Sequence, residues 1–259
     1  MSLPRDPAAV PRCTALRAAT PADLDGRLAA DCWRGAAWTG PFVDLVSGEA
    51  VPLDTRAALL WDDEHLYVGF RLEEPDVTAT LTERDAHIWL DDDVELFVAG
   101  PDAYYELEIN AFNTVYEVLF GWDDAPPPPG LRRDDPLAAP FDGVDLRHPR
   151  GGRTGWWGFD LPGLTTAVHV DGTLNDPADV DRGWSVEIAL PWTGLAAVAG
   201  GRSLPPADGD EWRIGLARFN TRKGDDSGGW SLAPHGVWDS HVPELFPIVR
   251  FTDGPARSA

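Results

Sequence analysis

The chain alternates apolar and polar positions in short runs rather than repeating at helical spacing. Leu66, Val68, Phe70 and Leu72 alternate with Tyr67, Gly69 and Arg71, the period of a strand with one face buried. With Ala57 to Trp61 before it and the turn Asp62-Asp63-Glu64 between, this predicts a hairpin. The same period recurs in Val94, Leu96 and Val98; in Tyr105, Leu107 and Ile109; in Trp184, Val186, Ile188 and Leu190; and in Trp212, Ile214, Leu216 and Arg218. Gly, Pro and Asp bound these segments, and aromatic and β-branched residues fill them, so an all-β antiparallel sandwich with long loops is expected. Helix is confined to short candidates after Pro191 and from Pro21 to Leu28.

Pro126 to Pro129 cannot join a ladder because proline lacks the N–H, so 123–155 reads as a long loop inserted into one domain. The organisation expected is an N-terminal extension over 1–20, a single sandwich domain over 21–252 and a tail over 253–259. A chain of 259 residues is long enough for one such domain with a sizeable core.

A formal net charge of -22 repels a phosphate backbone, so nucleic acid is not an expected partner. Lys223 is the sole lysine, which reads as compositional bias. Two cysteines, Cys13 and Cys32, are too few for a disulfide framework and stand as free thiols or one bridge. No basic start with a following apolar stretch and no bilayer-length apolar run is present, so no membrane association is expected. A cytoplasmic location is the default, with export the alternative if Met1 is not the native start. Oligomeric state is not legible.

The chemistry concentrates around Trp89-Leu-Asp-Asp-Asp-Val-Glu95. An indole offers a plane on which the C–H face of a sugar stacks, while carboxylates and amides hydrogen-bond its hydroxyls. Glu95 opposes Val94 and Leu96 on its strand, and Glu106, Glu108 and Asn110 oppose Tyr105, Leu107 and Ile109. If the two strands pair, Glu95, Glu108 and Asn110 converge on one exposed surface, joined by Arg218 or Asn220 from a neighbouring strand. Trp61, Trp184, Trp192 and Trp212 are in phase with strand cores or beside proline and are expected inside. Trp156 and Trp157 face opposite ways, so one of them is expected to face a cleft or a covering loop.

Asp91, Asp92 and Asp93 would suit a hard cation such as calcium, with Asp62, Asp63 and the acids of 176–181 as rivals. The cluster lacks the alternate-residue spacing of a calcium hand, so a solvated turn is the competing reading. His241 and Glu244 raise the question of a general base, although Pro243 between them fixes an extended or turn geometry. No nucleophile elbow, P-loop or dinucleotide fingerprint is present, and no nucleotide is expected. Haem through an axial methionine is excluded because the only methionine is Met1.

Several stretches, in order, resemble family 9 carbohydrate-binding modules. They are Leu59 to Val68, Trp89 to Phe97, Tyr104 to Asn110, Gly183 to Trp192, Gly209 to Arg213 and His241 to Glu244, and the resemblance spans roughly residues 20–252. It implies a sandwich that binds a mono- or oligosaccharide, in the setting of polysaccharide catabolism. It implies a ligand site containing Trp89 and Glu95, a second clamping tryptophan from a late loop, here Trp230 or Trp238, and calcium. Pro247 stands near the place where the family's closing segment runs into glycine. The primary expectation is a non-catalytic module with ligand residues Trp89, Glu95, Glu108, Asn110, Trp230 and Trp238. The alternatives are a glycan-active enzyme using two of Glu95, Glu106, Glu108 and Glu244, and a protein-interaction module.

Overall fold

The computed structural model describes residues 2–221 and 227–254; Lys223 and the end of the expected tail lie outside them. Among the described residues, fourteen strands make one hydrogen-bonded system. They are β1 (Arg12–Arg17), β2 (Val43–Asp44), β3 (Thr55–Trp61), β4 (His65–Glu73), β5 (Asp93–Ala99), β6 (Ala103–Asn110), β7 (Val115–Trp122), β8 (Ala138–Phe141), β9 (Arg153–Trp156), β10 (Thr165–Asp171), β11 (Gly183–Pro191), β12 (Glu211–Asn220), β13 (Gly228–Ser231) and β14 (Ile248–Thr252). The path runs β10-β11-β4-β3-β1-β14-β12-β5-β6-β7-β9-β8, and β13 pairs with β12 and β2.

Side chains from β3, β4 and β11 meet those of β5, β6, β7 and β12 in the principal core, the all-β sandwich that the alternation predicts. Trp61, Trp184, Trp192 and Trp212 are all buried there, as their phase requires. Trp212 and Trp192 each pack edge-on against Phe251 at 5.8 Å.

Three features depart from the sequence reading. Residues 12–17, read as part of an N-terminal extension, form β1, which inserts between β3 and β14 and is parallel to both. It is the exception in an otherwise antiparallel system. Pro21 to Leu28 is not helical, since Gly26 and Leu28 take positive φ and the N–H groups of Asp25 and Gly26 donate to Glu187. A single turn at Asp31–Arg34 follows instead, and the turn after Pro191 falls at Ala196–Ala199.

The insertion is the third departure. It carries β8 and β9, which extend the sheet beyond β7. Arg133 ties it together by donating to Asp123, Thr154 and the Trp122 and Ala125 carbonyls, and Arg150 pairs with Asp124.

Both outer faces of the sandwich are covered, which one-sided alternation does not predict. Leu28, Cys32 and Trp33 lie over Leu60, Tyr67 and Ala189. Gly69 permits this approach, because a Cβ there would meet Leu28 at 2.5 Å and the Trp33 ring at 3.1 Å. On the other side, Ile88, Phe246, Phe141 and Trp157 cover Phe97, Tyr104, Val118 and Phe120. Both cysteines are free, and burial pushes the Cys13 thiol up to about 12. Among the described residues no helix is long and apolar enough to cross a membrane.

Candidate functional site

The covered face of β5, β6 and β7 does not close completely, and a cavity of about 760 Å³ opens over it. Strand register sets its floor. Glu95 lies opposite Glu108, and Asp93 opposite Asn110, while β7 places Tyr116 beside Glu108 and Phe120 beside Tyr104. All point to one side because alternate residues on a strand share a face. Glu95, Glu106 and Glu108 therefore line the cavity between aromatic walls of Tyr116, Phe120, Phe141 and Trp157.

Two tryptophans at the cavity remain partly open to solvent. Trp89, 40% exposed, sits in a one-turn 3-10 segment, Ile88–Leu90, stacked on His87 at 4.4 Å and edge-on to Tyr116 at 5.1 Å. Trp238, 42% exposed, comes from the loop after β13 and packs edge-on to Phe219 at 5.4 Å. Gly229 makes room for this pair, since a Cβ there would meet the Phe219 ring at 2.6 Å and the Trp238 ring at 3.0 Å.

Asp239 fixes the loop that carries Trp238. Its Oδ2 accepts the N–H groups of Val144, Asp145 and Leu146, and its Oδ1 accepts that of His241. One buried carboxylate thus joins the insertion to the late loop at the cavity wall. Asp239 and Ser240 are themselves buried, so the exposure of Trp238 comes from the ring standing out of the loop.

The floor is electrostatically unusual. Burial raises the Glu95 carboxyl to about 8, against the opposing influence of Ser240. Burial also raises Asp93, Glu106 and Glu108 well above the ordinary range, reinforced by their mutual repulsion. His241 goes the other way: burial lowers it to about 3 although Asp239 opposes the shift. Its Nε2 lies 3.4 Å from Glu106 Oε1, and since both groups are driven toward neutrality this is a neutral contact rather than an ion pair. Among the described residues no arginine or lysine lines the cavity.

The residues singled out in the sequence do not all gather here. Glu95 and Glu108 do converge, yet on a covered floor rather than an exposed surface, at 5% and 3% exposure. Asn110 shares their face but does not line the cavity. Its amide donates to the Leu81 carbonyl and Asp91 and accepts from the N–H groups of Phe112 and Thr114, which fixes the adjoining turns. Trp230 is buried in the principal core with the Arg218 guanidinium 4.7 Å from its ring, leaving Trp238 as the late-loop tryptophan at the cavity. Arg218 lies on the core side of β12 and donates to Thr55, the Glu73 carbonyl and Glu74, away from the cavity. Asn220 lines the cavity while its amide nitrogen donates to Glu74.

Glu244 pairs with His148 at 2.9 Å, so His241 and Glu244 form no catalytic couple. Of the two adjacent tryptophans, Trp157 lines the cavity and Trp156 is buried. Phe120, Phe141 and His241 complete the walls. The alternation of Tyr116, Val118, Phe120 and Trp122 carried a signal for Phe120, whereas nothing local marked Phe141.

Asp91 to Asp93 do not fit a calcium ion as a set. Asp91 accepts four donors, from the Thr80 N–H and hydroxyl, the Leu81 N–H and Asn110. Burial works against its charge, yet these donors hold its carboxyl below the ordinary value. Asp92 accepts the Thr221 N–H and hydroxyl and the Thr78 hydroxyl. Only Asp93 turns to the floor. With Glu95 and Glu108 it makes the one trio of acids, among the described residues, that could hold a metal, its ligand atoms all within 4.8 Å of one another.

Residues 24–123 match the model of the carbohydrate family 9 binding domain-like family. No curated protein sequence matches the chain. A candidate carbohydrate-binding protein from Bacteroides uniformis is similar in structure, with a TM-score of 0.64 at 15% identity over 93% of this chain and 99% of that one. A family 9 carbohydrate-binding module from Caldicellulosiruptor kristjanssonii, solved with cellotriose, gives 0.55 at 14% identity over 96% and 97% of the two chains. The glucose complex gives 0.54 at 14% identity over 95% and 98%. Residues 24–123 are thus similar in sequence to the family 9 carbohydrate-binding domains, and nearly the whole chain shares their fold.

Proposed function

We propose that the chain binds a mono- or oligosaccharide in the cavity between Trp89 and Trp238, with Glu95, Glu106 and Glu108 meeting its hydroxyls. The observation that carries this reading is the pairing of two half-exposed indoles with a buried carboxyl floor. Apolar ring faces take the C–H surfaces of a pyranose, and carboxyls held near neutrality both donate and accept hydrogen bonds. The glucose and cellotriose held by the Caldicellulosiruptor modules support the ligand class.

Stacking on one ring adds about 0.5–1.5 kcal/mol beyond area burial, which suits an affinity in roughly the micromolar to millimolar range. Calorimetric titration with glucose, cellotriose and a glycan panel tests this. Trp89→Ala and Trp238→Ala each weaken binding about tenfold, the equivalent of roughly 1.4 kcal/mol, and the double variant binds nothing measurable while its circular dichroism is unchanged. Unchanged affinity in the double variant would sink the site assignment.

A catalytic reading draws on one observation, the Glu95 carboxyl raised to about 8 beside a second glutamate in the same cavity. Turnover of chromogenic glycosides that is lost in Glu95→Gln would replace the binding reading with that one.

A further inference from the structure

We propose that Asp93, Glu95 and Glu108 form a divalent-cation site of calcium type in the cavity floor, and that saccharide hydroxyls complete the coordination shell of its ion. The second half rests on the saccharide reading above; the first stands on the geometry of the floor alone.

Asp93 and Glu95 are alternate residues on β5, and Glu108 faces Glu95 across the ladder, so three carboxylates project from neighbouring points of one face. Their ligand atoms lie within 4.8 Å of one another, inside the roughly 5 Å that separates oxygens on opposite sides of a calcium ion. All three side chains are at least nine-tenths buried. Both Asp93 oxygens, Glu95 Oε2 and Glu108 Oε2 are buried without a hydrogen-bond partner. Buried polar atoms are nearly always partnered, so four unpartnered oxygens on three clustered carboxylates mark a place where a shared positive charge would be accommodated. This contrasts with Asp91 and Asp92 immediately before them, whose oxygens are taken up by threonine hydroxyls and backbone N–H groups.

An all-oxygen donor set favours a hard cation. Calcium accepts about 6–8 oxygens, more than this trio supplies in simple contact, and Glu95 and Glu108 open onto the cavity while Asp93 lies beneath. The remaining coordination positions therefore face the space between the tryptophans. Two vicinal hydroxyls of a sugar are suitable ligands for them.

The test uses the whole chain, stripped with a chelator and desalted. Terbium, excited through the nearby Trp89 indole, reports uptake, and calcium competes it off. We expect one terbium per chain, with affinity falling at least roughly tenfold in Glu108→Gln and in Glu95→Gln, since each removes one charged ligand. Asp63→Asn, on an exposed turn, leaves it unchanged. Both glutamine variants keep the shape of the side chain and remove a buried charge, and circular dichroism verifies that they fold. Glucose or cellotriose titrated with calcium and then with chelator gives the second readout, expected to differ at least roughly tenfold. Failure to retain terbium or calcium overturns the site, as does equal uptake in both glutamine variants, or a preference for glucosamine in cation-free protein, which would put a ligand ammonium at these carboxylates. Sugar binding that ignores the chelator overturns the bridging role and leaves the saccharide reading intact. Cation uptake without any sugar binding preserves the site and defeats that reading.

Discussion

Arg218→Ala lowers the stability of the protein by about 3–5 kcal/mol, the effect expected when one member of a buried ion pair is removed. Arg218 and Glu74 are both fully buried, with Nη2 2.7 Å from the Glu74 carboxylate. The guanidinium also donates to the Thr55 hydroxyl and the Glu73 carbonyl, so it joins the end of β4 to β3 and β12. Truncation removes these bonds, opens space beside Trp230 and leaves Glu74 in a low-dielectric setting with the Asn220 amide still donating to it. Replacing both partners by apolar residues, Arg218→Met with Glu74→Leu, recovers much of the loss because both desolvated charges are then removed together. Denaturant unfolding of the single and double variants measures both. A loss below about 1 kcal/mol for Arg218→Ala, the scale of an exposed pair, would contradict this assignment.

Asp239→Ala costs about 2–4 kcal/mol and weakens saccharide binding as well, since hydrogen bonds to a charged acceptor are worth about 1.5–3 kcal/mol and several are lost together. Four backbone N–H groups end on this carboxylate, three from the turn at 144–146 and one from His241. The turn contributes Val144 to the cavity wall, and the residue before Asp239 is Trp238. Loosening it therefore reaches stability and the site at once. Asp239→Asn retains one acceptor oxygen and loses less. Hydrogen exchange reads the effect directly: the amides of Val144 and Leu146 lose protection in Asp239→Ala. Undiminished protection would show that the turn is held by other contacts.

The strands were legible because a half-buried strand carries its own signature, and β3 to β6, β11 and β12 fall where alternation puts them. The convergence of Glu95 and Glu108 was legible for the same reason. What covers those strands was not. Phe141 and the late loop reach the β5 to β7 face from far along the chain, and local period says nothing of such packing. The choice between Trp230 and Trp238 had the same character: both follow glycine or valine in polar surroundings, and only the pairing of β13 with β12 sends one into the core. Asp91, Asp92 and Asp93 looked equivalent as a run of acids. They differ because Thr80, Leu81 and Thr221 supply donors to the first two, and none of these contacts has a sequence signature. β1 was missed since a parallel strand at the sheet centre has no hairpin to announce it.

The indole region of a proton-nitrogen correlation spectrum tests the central claim most directly, because the twelve tryptophans report separately on cavity and core. Titration with cellotriose or glucose is predicted to shift the Nε1–H signals of Trp89, Trp238 and Trp157. Those of Trp61 and Trp192, bonded in the core to the Thr252 and Asp62 carbonyls, stay in place. A bound saccharide that leaves the Trp89 and Trp238 signals unmoved would contradict the proposal.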